Sequence, residues 1–324
     1  MGEDKMKINS VAILGAGAVG SYMIWGLSQR DDIKLGVIAE GERAKRLQRD
    51  GCRINGAVYR PKVWTAQEAN GVDLLIVSLK YGALPGALES IKAAVGENTI
   101  VMSLMNGVDS EEIISGVVES SHIMYSLIKV ASHKEGSGYC FDPETTIGII
   151  FGEVKEPYKS ERVCAIEELF SGTQLHYRCS ECIREEIWCK FRLNVCNNLP
   201  QAILGAGVGC YRDSAHMNAI SDGLRRELEE IAAAKGIDLS KAAESSGRGS
   251  AVPPTARYST LQDIDAGRHT EIDMFCGVLM KMGKELGIAV PYNEYTYHMI
   301  KALEEKNDGL FDYEGREQEA TCSR

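Results

Sequence analysis

The chain has 324 residues, about twice the commonest domain size, so two domains are expected and a core can form without disulfide staples. Apolar residues make up 44% and charged residues 25%, near globular averages, and 33 glycines beside only 8 prolines exclude collagen-like and proline-rich chains. The formal charge of -10 repels a phosphate backbone, which argues against a nucleic-acid partner.

No apolar run approaches the roughly 20 residues that a bilayer-spanning helix needs, and the polar start carries no secretory or lipid-anchor signal. The expected location is cytoplasmic, with no membrane partner. Ten cysteines then read as reduced thiols rather than as a disulfide framework. The stretch Cys179-Ser180-Glu181-Cys182, flanked by His176 and Cys189, lacks the second knuckle that a zinc site would pair with it, so no metal is expected.

In chain order, residues 11–14, 34–39, 73–79, 99–105, 123–130 and 146–151 are strand candidates, rich in branched side chains and bounded by Gly, Asn or Asp. The unbroken apolar run Leu74-Leu75-Ile76-Val77 suits a strand covered on both faces, the pattern of a parallel, doubly wound sheet. From about residue 182 helical periodicity takes over, at 182–199, 214–235, 271–286 and 293–306. Gly236 and Gly287 stand where C-terminal caps belong. Residues 245–255, full of Gly, Ser and Pro, read as a loop, and 312–324 as a frayed polar end.

The first strand runs straight into Gly15-Ala16-Gly17-Ala18-Val19-Gly20, and residues 21–29 can continue as a helix. A dinucleotide needs this order. Gly15 would make the tight turn, Gly17 would let the backbone approach a pyrophosphate, and Gly20 would allow close helix packing, with the pyrophosphate on the helix N-terminus. Gly205, Gly207 and Gly209 also alternate but follow a helix, and read as a turn or close helix contact. Glu40 lies 20 residues beyond Gly20, at the end of the second strand. A carboxylate there accepts hydrogen bonds from both ribose hydroxyls and repels a 2'-phosphate, which favours NAD (NADH). Arg43, Lys45 and Arg46 follow at once and keep NADP (NADPH) open. The expected fold class is α/β: a Rossmann-type dinucleotide-binding domain at residues 1–180, followed by an all-α substrate-binding and catalytic domain at residues 181–324.

Further motifs narrow the reaction. Ser78-Leu79-Lys80 and Met105-Asn106-Gly107 each follow a strand, and Trp188-Cys189-Lys190-Phe191-Arg192-Leu193-Asn194 opens the second half. Leu261-Gln262-Asp263-Ile264 leads to Arg268-His269-Thr270-Glu271-Ile272-Asp273. Together, and in order over nearly the whole chain, these motifs resemble the ketopantoate reductase (2-dehydropantoate 2-reductase) family. The resemblance implies reduction of 2-dehydropantoate to (R)-pantoate, in the cleft between a Rossmann domain and a helical domain, by hydride transfer from a nicotinamide cofactor. It implies Lys190 as general acid, Glu271 as the carboxylate that orients substrate and supports catalysis, and Asn194, Asn198 and Ser259 as substrate contacts. Lys80 and Asn106 match positions around the nicotinamide ribose and the reacting carbonyl. The chain departs from the pattern at Glu40, where members commonly carry Arg, and in the segment 138–142. It departs again at Asn198-Leu199-Pro200, which replaces the usual Asn-Pro and predicts a helix kink one residue later.

The residue types suit that chemistry. Reducing a 2-oxo acid needs a proton for the carbonyl oxygen, worth roughly 10² to 10⁴ in rate, and an ammonium also steadies the developing alkoxide. Lys190, Asn194 and Asn198 are spaced i, i+4, i+8, one gently drifting row on a helix. Asn costs a helix up to about 0.7 kcal/mol against Ala, yet Asn194, Asn197 and Asn198 crowd together. Blander readings stand beside these: a solvated polar face for the row, a dipole-favoured acid for Glu271 and a cap hydroxyl for Ser259. The small anionic 2-oxo acid could instead be another branched or hydroxylated one, or the chain a non-catalytic dinucleotide sensor. The helical half is the candidate surface for a homodimer.

Overall fold

The structure, a computed structural model, describes residues 6–243 and 253–311, so the loop expected at 245–255 lies largely outside the described residues and the end expected at 312–324 wholly so. The chain divides into two compact units, Met1–Ile187 and Trp188–Arg324. The division falls inside the helix Ile183–Leu193, seven residues past the end of the first expected domain at 180.

In chain order the strands of the first unit are β1 (Ser10–Leu14), β2 (Lys34–Ile38), β3 (Cys52–Ile54), β4 (Ala57–Tyr59), β5 (Lys62–Trp64) and β6 (Leu74–Val77). They continue with β7 (Ile100–Ser103), β8 (Ile123–Lys129), β9 (Ser132–Glu135), β10 (Gly138–Phe141), β11 (Gly148–Gly152) and β12 (Tyr177–Cys179). Eight form one sheet in the order β12-β11-β8-β7-β6-β1-β2-β5. Its neighbours are parallel except β11, which runs antiparallel to β8. All six expected strands are present. Those missed are β5, β12 and the four of a second sheet, β4-β3-β10-β9. These strands are only three or four residues long and partly exposed, too short and polar for hydrophobic periodicity to register.

Alternation along the central strands explains the two-sided burial. Val11 and Ile13 join Leu74, Ile76, Ile100 and Met102 in one core, while Ala12 and Leu14 join Leu75, Val77 and Val101 in another. Side chains on a strand point alternately to opposite faces, so a sheet covered on both needs apolar residues at every position. Each such Leu, Ile or Val contributes about 1.5–3 kcal/mol by leaving water. The chain leaves β1 toward β2 on one side and returns to β6 on the other. The carboxyl end of β1 is therefore a topological switch point, where open α/β sheets bind ligands.

Among the described residues the second unit is built from helices. The helix expected at 182–199 is instead Ile183–Leu193, a π-helical turn at Asn194–Asn198 and a further helix Leu199–Leu204. Pro200 supplies the reason. It has no N–H to give and its ring crowds the carbonyl four residues back, so the helix widens just ahead of it. A second π-helical turn, Asp273–Gly277, opens the helix Val278–Leu286 expected from 271. Gly236 and Gly287 sit at φ +72° and +71° just past the helices Ala215–Ala234 and Val278–Leu286, as their placement in the sequence predicts. Among the described residues no helix is long and apolar enough to cross a membrane.

α1 (Ala18–Leu27) follows β1 directly, and the glycines between them differ in what they tolerate. A Cβ on Gly20 would lie 1.9 Å from the Gly15 carbonyl oxygen, whereas one on Gly17 would meet nothing within 4 Å. Ala is better than Gly in a helix by up to about 1 kcal/mol, but a clash with backbone outweighs that gain. Gly20→Ala is expected to lower unfolding free energy by about 2 kcal/mol or more in urea titration, and Gly17→Ala to leave it within about 1 kcal/mol.

Candidate functional site

The glycine turn is held from outside by β6. Gly15 adopts φ +107°, and a Cβ there would stand 2.6 Å from the Ser78 carbonyl oxygen. The Ser78 backbone N–H donates to Leu14 O at 2.9 Å, and its hydroxyl donates to Gly15 O at 2.7 Å. Ser78 entered the sequence reading only as part of a motif. Its positioning role could not be read there, because a serine after a strand has no distinctive spacing. Gly17 occupies the cap position of α1 with no side-chain cap and no acidic residue in the first turn. The leading N–H groups of α1 therefore have open space beside Gly17, a cradle that fits a phosphate group. Ala16, Ala18 and Val19 are half-buried around it.

Glu40 is exposed, two residues past β2, and precedes α2 (Gly41–Asp50). Of the basic residues that follow it, Lys45 pairs with Glu42 at 2.7 Å. Lys80 is exposed beyond the end of β6, and Asn106 is half-buried beyond β7, before Gly107 at φ +99°. The Tyr81 hydroxyl donates to Asp109 Oδ2 at 2.7 Å and ties the loop after Lys80 to the loop after Asn106. Glu40, Lys80, Asn106 and the glycine turn all lie at the carboxyl ends of neighbouring strands β2, β6, β7 and β1.

The second unit brings other residues together. Asn198 is 7% exposed, and its Nδ2 donates to Asn194 Oδ1 at 3.1 Å, so the two amides form one pair across the π-helical turn. Lys190 is half-buried on the preceding helix. Its neighbour Phe191 lies against Phe275 with ring centroids 6.0 Å apart, which packs the Lys190 helix against the turn that follows Glu271. Glu271 is half-buried, and its carbonyl accepts from Met274 N and Phe275 N at 3.0 and 3.2 Å. Buried Glu304 holds the preceding residue, accepting from the Thr270 N–H and hydroxyl at 2.7 and 2.6 Å.

Ser259 is exposed at the first position of the helix Ser259–Asp265. Gln201, fully buried, secures that segment. Its Nε2 donates to Ala256 O and its Oε1 accepts from Tyr258 N, both at 2.9 Å. Gln201 lies three residues after Asn198, so one short stretch both carries the amide pair and docks the Ser259 helix. Burial pushes the Cys196 thiol up to about 12, so this cysteine between the asparagines stays protonated. Gly205 ends a helix at φ +70°, and a Cβ on Gly207 or Gly209 would collide with Pro254. These glycines form a helix cap and a close backbone contact, not a nucleotide turn. Cys179 and Cys182 join no group of three potential metal ligands among the described residues.

Residues 11–150 match the protein-family model described as ketopantoate reductase PanE/ApbA, and residues 182–304 match the one described as its C-terminal part. The chain belongs to the ketopantoate reductase family of oxidoreductases. It is 24% identical over 315 residues to a 2-dehydropantoate 2-reductase of Archaeoglobus fulgidus, covering 92% of this chain and 99% of that one. It is 22% identical over 299 residues to the uncharacterized oxidoreductase YkpB of Bacillus subtilis, covering 90% and 98%. In fold it is similar to the PanE/ApbA family ketopantoate reductase from Ralstonia eutropha, with a TM-score of 0.75 at 23% identity over 92% of this chain and 99% of that one. A D-mandelate dehydrogenase solved with NADH and anilino(oxo)acetate gives a TM-score of 0.77 at 23% identity, with 92% and 99% covered.

Like Gln201, a buried acid is not marked by the sequence. Glu111 is the second residue of the short helix Ser110–Ile114 beyond the Asn106 loop and is 4% exposed. In the run Asp109-Ser110-Glu111-Glu112 it reads as a solvated helix start. Burial pushes its carboxyl from the ordinary 4.5 up to about 7, with the Asp109 charge adding to the rise and the Ser110 hydroxyl, 2.8 Å away, opposing it. The folded chain holds this proton more tightly than the unfolded one. Its support is therefore complete below about pH 4.5 and is lost as pH rises toward 7, a difference on the order of 3 kcal/mol. Glu111→Gln is expected to flatten that decline, so that urea titrations from about pH 5 to about pH 8 show a smaller loss than in the parent.

Proposed function

We propose that this protein reduces a 2-oxo acid with a nicotinamide cofactor, and that the substrate is 2-dehydropantoate and the product (R)-pantoate. The observation that carries the reading is the amide pair Asn194–Asn198 on a π-helical turn, one turn of helix beyond Lys190. π-helical turns are rare and are frequent at functional sites. Here the widened turn groups polar side chains on a helix otherwise filled by buried Val195, Cys196 and Leu199.

The two units divide the work. In the first, the Gly15-Ala16-Gly17-Ala18-Val19-Gly20 turn and the start of α1 hold the pyrophosphate. Glu40 accepts the ribose hydroxyls, and Lys80 and Asn106 serve the nicotinamide side. The bound dihydronicotinamide supplies the hydride. In the second, Lys190 gives its ammonium proton to the carbonyl oxygen, and its charge favours the alkoxide before transfer. Asn194, Asn198 and Ser259 bind the hydroxyl and carboxylate of the substrate, and Glu271 orients it. Glu40 makes NADH the preferred donor, because its carboxylate repels a 2'-phosphate.

A second reading keeps this mechanism and replaces the substrate with an aryl or branched 2-oxo acid. Structural likeness to D-mandelate dehydrogenase favours it. A third, a dinucleotide sensor without catalysis, has no use for Lys190, Asn194 and Glu271 together. Initial rates with 2-dehydropantoate, phenylglyoxylate and branched 2-oxo acids, each with NADH and NADPH, separate the three. The expected result is turnover fastest with 2-dehydropantoate and NADH, and absence of turnover with every acid overturns the enzymatic reading. Lys190→Ala is expected to lower kcat by roughly 10² to 10⁴ while dinucleotide binding, followed by nicotinamide fluorescence, stays unchanged.

A further inference from the structure

Strands β9 and β10 form a hairpin closed by Gly136 and Ser137, with Gly136 at φ +55°. Its register sets Cys140 directly opposite His133, and Gly138 opposite Glu135. Residues two apart on a strand share a face, and so do directly opposed residues on neighbouring strands. His133, Glu135 and Cys140 therefore present three side chains on one face as a matter of topology. Their donor atoms all lie within 4.8 Å of one another, and the Cys140 thiol is 2.8 Å from Glu135 Oε2.

The strand that carries Cys140 is fixed from its other face. Phe141 is 6% exposed and packs edge-on against Tyr22 and Trp25 of α1, with centroids 5.1 and 5.3 Å away. Asn55 grips the same strand, donating its N–H to Tyr139 O at 3.0 Å and accepting the Phe141 N–H on Oδ1 at 2.9 Å. One face of β10 is thus anchored in the core while the cluster faces outward. His133 and Glu135 are exposed and Cys140 half-buried, which gives a hydrated ion access.

We propose that this hairpin is a binding site for a divalent transition metal of the zinc class, with His133, Glu135 and Cys140 as its protein ligands. An imidazole nitrogen, a thiolate and a carboxylate oxygen suit zinc, whereas magnesium and calcium take oxygen alone. Neighbouring ligand atoms of a tetrahedral zinc stand roughly 3.5 Å apart, so small side-chain rotations close the cluster onto an ion. On binding, Cys140 releases its thiol proton to water and its sulfur donates the electron pair to the metal. The two ligand charges then balance the ion's, and water fills the fourth position. None of the three ligands belongs to the glycine turn or to the Lys190, Asn194 and Asn198 row.

The test is titration of the full-length, chelator-treated protein with cobalt(II), whose bond to a thiolate gives a near-ultraviolet charge-transfer band. One cobalt per chain is expected, displaced by zinc and not by magnesium. Cys140→Ser is expected to abolish the band. His133→Ala is expected to weaken uptake by roughly a hundredfold or more, since loss of even an outer-shell partner of a metal ligand costs 10–100-fold. Cys182→Ser is expected to leave the band in place. The proposal is overturned if the parent chain gives no band, if the band survives Cys140→Ser, or if His133→Ala binds cobalt as tightly as the parent.

Discussion

The first unit of this protein depends on one close approach, that of the turn after β1 to the end of β6. Gly20 lies so near the Gly15 carbonyl that a single methyl group would overlap it, and the Ser78 hydroxyl clasps that same carbonyl. The three residues together aim the start of α1 outward at the sheet's switch point, where partial positive charge and unpaired N–H groups favour an anion. The nearest colliding atom, the Gly15 carbonyl oxygen, is backbone, so trimming the Ser78 side chain cannot make room for a larger residue at Gly20.

The helical unit places its polar groups by a different device. A regular helix through residues 183–204 would stack Lys190, Asn194 and Asn198 in a smooth row. Pro200 prevents that regularity, and the chain answers with a wide turn in which Asn194 and Asn198 meet. Gln201 and Phe275 then lock the surrounding segments by a buried amide and an aromatic contact. Regular helix geometry is given up at the place where polar side chains gather, a conflict between local and global preference that native proteins concentrate at functional sites.

The large features were legible because they rest on patterns several residues long. Six strands, the glycine turn, both helix-ending glycines and the α/β-then-α order follow from periodicity and from backbone demands that few residues meet. The second sheet was not legible, since Cys52–Ile54 and Ser132–Glu135 carry too few apolar residues to signal a strand. Glu111 and Gln201 were hidden for another reason. Burial of a lone polar residue depends on what folds over it, and nothing in Asp109-Ser110-Glu111-Glu112 distinguishes the acids that go inside, Asp109 and Glu111, from Glu112, which stays exposed. The π-helical turn lay between these cases, for the sequence located the disturbance at Pro200 but not its form. Lys190, Asn194 and Glu271 were singled out through motif likeness, and Lys190 and Asn194 also through their spacing along one helix.

The opposed faces of β10 have a consequence for how the domain can be watched. Cys140 and Phe141 are adjacent in the chain, yet one looks toward solvent and the other sits against the indole of Trp25. Trp25 also stacks with Tyr22, rings 5.8 Å apart, on the helix whose first turn cradles the open space at Gly17. An optical signal from this indole therefore reports on the packing of the outer hairpin against α1. With a second tryptophan, Trp64, on β5 of the same sheet-bearing unit, the hairpin's share of the signal is the part that changes when Phe141 is replaced.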